Sequence, residues 1–117
     1  MQYIMLLYAQ ESGYGTLTEA EKAGWWAKIN AYNDDLVKRG HYKLTSGLQP
    51  TSTARTLTRK NGRLETTDGP YAETKEQLLG FYLIEAKDMD EAVAIAARAP
   101  MAEFGKVEVR ALNMREG

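Results

Sequence analysis

Two short runs limit what this chain can fold into. Residues 2 to 9 (Gln2-Tyr3-Ile4-Met5-Leu6-Leu7-Tyr8-Ala9) and residues 79 to 84 (Leu79-Gly80-Phe81-Tyr82-Leu83-Ile84) are apolar at consecutive rather than alternate positions. Both are too short for ordinary helices, and Ser12-Gly13-Tyr14-Gly15 ends the first with turn residues, so both read as strands. Side chains of a strand alternate between faces, so a strand apolar throughout needs cover on both sides. In a 117-residue chain large enough for one domain core, the helices cover one face of a sheet and something else must cover the other. Gly80 inside the second run marks either a close approach of another backbone or a bulge.

The helices are easy to place. Thr18 and Glu21 form a capping box, and Trp25, Ile29, Tyr32 and Leu36 recur at helical spacing with Trp26 and Val37 beside them. Gly40 after Lys38-Arg39 suits the C-terminal end, giving a helix from about residue 18 to 39. Asp88 with Glu91 predicts a second, shorter helix carrying Met89, Ala92, Val93, Ala96 and Ala99 on its stripe, and Pro100 stops it. Tyr42 to Leu48 reads as a strand, and Val107, Val109 and Ala111 alternate with charged residues in a final one. Between them, Ala54 to Arg59, Asn61-Gly62 and Arg63 to Thr67 read as a hairpin, because Asn-Gly supplies the positive φ angles of a type I′ turn.

Composition removes several functions. Fifteen basic residues against sixteen acidic ones give a formal net charge of −1, which argues against recognition of nucleic acid or an anionic membrane by bulk electrostatics. There is no cysteine and one histidine, His41, so no thiol nucleophile or thiolate metal site is available, and neither a metal nor a cofactor is expected. The opening apolar run lacks the basic flank and the length of a signal or membrane-spanning segment, so a soluble, cytoplasmic protein is expected.

The chemistry-bearing stretch is Asp68-Gly69-Pro70-Tyr71-Ala72-Glu73-Thr74-Lys75-Glu76, a polar connection between the hairpin and the second apolar strand. Asp68 either fixes the turn by accepting backbone N–H bonds or acts as a general base or substrate anchor, with Glu73 raising and Lys75 lowering its pKa. Glu73 and Lys75 would share a face and pair if the segment were extended, while Glu76 reads as solvated. Tyr71 and Tyr82 offer phenolic donors. His41 is the one side chain that ordinarily titrates near neutrality, and Arg110 on the last strand would need a carboxylate if buried, Glu108 being the nearest in sequence.

The element order strand, helix, strand, hairpin, strand, helix, strand gives a single α+β domain over residues 1–117. It is a ferredoxin-like split βαβ sandwich with an inserted β-hairpin and both helices on one face. A second copy packed against the open face then makes a homodimer.

The central block followed by Gly80-Phe81-Tyr82 resembles the signature of the DGPF branch of YCII-related proteins, with Tyr71 where phenylalanine is usual. The Met5-Leu6-Leu7-Tyr8, Ser46-Gly47-Leu48, Asp90-Glu91-Ala92 and Glu108-Val109-Arg110 groups agree in order with that family. The resemblance implies a dimeric α/β barrel. It further implies either a small-molecule-binding protein or enzyme working around Asp68, or a regulatory module that docks on an extracytoplasmic-function sigma factor. In the wider family a histidine on the first helix pairs with an aspartate for acid–base work, and one relative is a dehydrochlorinase acting on a hydroxyquinone. Rough alignment places Asn30 at that histidine's position, so the pair is incomplete here.

Overall fold

In a computed structural model, residues 1–113 are described. The elements run β1 Gln2–Ala9, α1 Ser12–Gly15, α2 Glu19–Lys38, β2 Tyr42–Gly47, β3 Arg55–Lys60, β4 Arg63–Asp68, β5 Gln77–Glu85, α3 Met89–Ala97 and β6 Lys106–Ala111, with short 3₁₀ turns at Thr51–Thr53 and Pro100–Glu103. Four strands form one antiparallel sheet in the order β2-β5-β1-β6, and β3-β4 form a separate two-stranded ribbon. This is the strand order expected of a ferredoxin-like α+β sandwich. The two long apolar runs are its two central strands.

Pairing assigns the faces. Tyr3 and Met5 stand opposite Ile84 and Tyr82, and these four are buried beneath Tyr32 and Leu36 of α2 and Ala92, Ile95 and Ala96 of α3. Both helices therefore lie on one face. Tyr32 ties the layers together, with its ring edge-on to Tyr82 at 5.7 Å and its hydroxyl donating to the Ile95 carbonyl at 2.8 Å. The alternate residues, Ile4, Leu6, Phe81 and Leu83, form an apolar patch on the face without helices and are only partly covered.

The ends of α2 follow from local chemistry. The Thr18 hydroxyl accepts from Glu21 N at 3.1 Å and the Glu21 carboxylate accepts from Thr18 N at 2.8 Å, closing the capping box. The helical stripe is narrower than expected: Ile29, Tyr32 and Leu36 are buried, but Trp26 and Val37 are half exposed, because they lie off the arc facing the sheet. On α3, Ile95 takes the core place expected of Met89 and Val93, which are exposed, and the helix ends at Ala97 before Pro100 opens a 3₁₀ turn. The Ser12–Gly15 stretch, read as a loop, makes a single helical turn.

The Asn61-Gly62 turn has φ of 50° and 78°, as a type I′ hairpin requires. Gly80 is held by a close approach: a Cβ there would stand 2.8 Å from the Ser46 carbonyl oxygen. The strand pairing also shifts beside it, between Leu7 and Tyr8.

Candidate functional site

The main cavity is a cleft of about 880 Å³ between α2 and the end of the sheet where β1, β2 and β5 meet. Gly47 and Gly80 lie side by side in neighbouring strands, and both border the cleft. Its walls are aromatic. Trp25 meets Phe104 edge-on at 5.1 Å, and Trp26 meets Tyr14 at 6.2 Å while its indole N–H donates to the Tyr14 hydroxyl at 2.8 Å. Consecutive tryptophans reach the same cleft from a helix that has turned Ile29 into the core.

A small polar group lies on the inner side of this cleft. The Tyr82 hydroxyl donates to Asn33 Oδ1 at 2.5 Å, and Thr45 stands opposite Tyr82 with its hydroxyl donating to the Phe81 carbonyl at 2.9 Å. Burial pushes the Tyr82 phenol above its ordinary pKa, so it stays protonated at neutral pH and acts as a donor rather than a base. At the mouth, Glu11 accepts from both the hydroxyl and the backbone N–H of Thr51, at 2.5 and 2.8 Å, and these bonds hold its carboxyl below the usual range.

The sequence candidates fall elsewhere. Asp68 is 85% exposed and pairs across the ribbon with Arg55 at 3.1 Å. With Glu73, Thr51, Gly69, Pro70 and Gln77 it borders a separate depression of about 350 Å³. The connection is shaped by its own bonds: Gln77 Nε2 donates to the Ala72 and Thr74 carbonyls, Thr56 donates to the Gly69 carbonyl, and Gly69 takes φ of 101°. Because it is bent rather than extended, Glu73 and Lys75 do not pair, and Tyr71 is 90% exposed. Glu76, read as solvated, is partly covered, borders the main cleft and forms an ion pair with Lys106.

His41 stands at the far end of β5 from this block, roughly 25 Å away at the usual strand rise. Its Nδ1 donates to the Glu85 carbonyl at 2.8 Å. Arg110 is exposed on the open sheet face beside Glu108, and no ion pair to it is found among the described residues. The carboxylate partner expected for a buried arginine is unnecessary because Arg110 is not buried in one chain. Glu108 instead accepts from the Tyr8 hydroxyl at 3.3 Å. Among the described residues no group of three or more histidine, aspartate or glutamate side chains gathers as metal ligands, and no helix is long and apolar enough to cross a membrane.

Asn33 is the residue that sequence reasoning missed. Asn30, placed by alignment at the helix site, is exposed and outside the cleft, whereas Asn33 lies four residues after Ile29 and one after Tyr32. A polar residue at that spacing on an otherwise apolar stripe was the available signal.

The fold and cleft define a ferredoxin-like α+β protein with room for a small molecule between helix and sheet. Residues 1–114 match the YCII-related domain, and the chain belongs to that family. It is 38% identical over 116 residues to an uncharacterised protein of Rhizobium meliloti, covering 97% of this chain and 94% of the relative. Among solved structures it is similar to a 5-chloro-2-hydroxyhydroquinone dehydrochlorinase from Burkholderia phenoliruptrix in complex with 2,5-dihydroxybenzoquinone. That likeness has a TM-score of 0.55 at 14% identity and covers 100% of this chain and 96% of the other.

Proposed function

We propose that this chain binds a small ring-bearing molecule in the cleft between α2 and the sheet. The observation that carries the proposal is the joining of aromatic walls to one hydrogen-bonded polar group, Tyr82 with Asn33, in a volume of about 880 Å³. A dehydrochlorinase of similar fold binds a flat oxygenated ring, which agrees with this reading. The Tyr82 O–H is committed to Asn33 Oδ1, so the pair meets a ligand with the phenol oxygen as acceptor and the Asn33 amide NH₂ as donor.

The test is a thermal-shift screen of phenols and quinones against wild type, Tyr82→Phe and Asp68→Asn. Tyr82→Phe weakens a cleft ligand several-fold, as expected for the loss of one hydrogen bond, while Asp68→Asn leaves it unchanged. The opposite pattern would return the site to the Asp68 depression, which Glu73 also borders.

A second copy is the natural cover for Ile4, Leu6, Phe81 and Leu83, completing a dimeric α/β barrel and bringing Arg110, Glu108 and Tyr8 to the interface. A second reading is a protein-docking role, supported by the exposure of Leu57 and Leu64 on the same face of the projecting ribbon, with a sigma factor as the partner that the family resemblance alone implies. Capture of a sigma factor by wild type and its loss with Leu57→Ser/Leu64→Ser would support that reading; no capture would remove it.

A further inference from the structure

With the cleft taken as the binding site, the charges around it restrict the ligand further than its shape does. Two carboxylates, Glu11 and Glu76, border it, and among the described residues lining it there is no lysine, arginine or histidine. The nearest ammonium groups are already committed. Lys106 pairs with Glu76, and Lys22 pairs with Glu19 at 3.6 Å while standing 5.2 Å from the centre of the Tyr14 ring. Glu11 has no basic partner among the described residues; its bonds come from Thr51 alone.

An anionic ligand entering here would lose its hydration without gaining a cation. An ammonium would gain the Glu11 carboxylate and the electron-rich faces of tryptophan and tyrosine. The Lys22 ammonium over Tyr14 shows that the rim already accepts such a group. We infer that the cleft selects an organic cation, an amine carried on an apolar or aromatic body, over a carboxylate of the same size.

The two tryptophans of the chain both line the cleft, so their indole N–H resonances report occupancy directly. Wild-type protein labelled with ¹⁵N is titrated with 2-naphthylmethylamine, 2-naphthylmethanol and 2-naphthoate at neutral pH. The amine should bind about tenfold more tightly than the alcohol, the carboxylate most weakly, and Glu11→Gln should remove most of the amine's advantage, leaving the share that the aromatic faces supply. Equal binding of amine and alcohol, or a carboxylate that binds as well as the amine, would overturn the charge selection and leave the cleft standing as a ring-binding site. If none of the three moves either indole resonance, both readings fall.

Discussion

At the scale of single residues, two positions carry consequences beyond their own contacts. Gly80 leaves no room for a Cβ against the Ser46 carbonyl. Gly80→Ala must push β2 and β5 apart, lowering stability by about 1–3 kcal/mol in urea denaturation, and reshaping the cleft that both strands border. Asp35 accepts from Arg39 at 2.9 Å, with Arg98 at 3.4 Å, and the Arg39 bond holds its carboxyl below the ordinary aspartate value of about 4. A carboxyl with a lower pKa folded than unfolded stabilises the fold above its unfolded value and loses that contribution as pH falls through its folded one. Urea midpoints of wild type should therefore drop from about pH 4 downward, and Asp35→Asn should drop less over the same window. Gly80 was readable in the sequence as a close approach or a bulge, because a glycine interrupts an otherwise apolar strand. Asp35 was not, since Arg98 comes from a distant helix end.

At the scale of elements, the β3–β4 ribbon differs from the rest. Its strands bond to each other and not to the main sheet, every residue of β4 is exposed, and an isolated ribbon is only marginally stable in water. Its amides should exchange with solvent at least about 100-fold faster than those of β1 and β5 by hydrogen-exchange NMR. The ribbon was legible from Asn61-Gly62 to within a residue at its strand ends, because a two-residue turn is a local matter. Its separation from the sheet was not legible, since that depends on where the bent Gly69–Glu76 connection sends the chain. The same bend explains why Glu73 and Lys75 do not meet.

For the whole molecule, the partly covered patch of Ile4, Leu6, Phe81 and Leu83 sets the prediction. Wild type should run at the mass of two chains in light scattering at micromolar concentration, and Phe81→Asp should run at the mass of one while keeping its helical circular dichroism. A folded wild-type monomer would remove the second copy from the open face. None of the four patch residues lines the cleft, but Tyr8, which a second copy would meet, does, so the two features adjoin there.

The sequence by itself determined the six strands, the two longer helices and their order, the two central strands, the capping of those helices, the hairpin turn and the family. Each follows from spacing or backbone preference within a few residues. Only the tertiary structure decided where a ligand has room. The cleft joins Tyr14, Trp26, Asn33, Gly47, Tyr82 and Phe104, which no local pattern connects, whereas the charged Asp68 block drew attention because its residues are neighbours in the chain. Packing of α2 against the sheet brought the first group together, and the bent connection turned the second toward solvent.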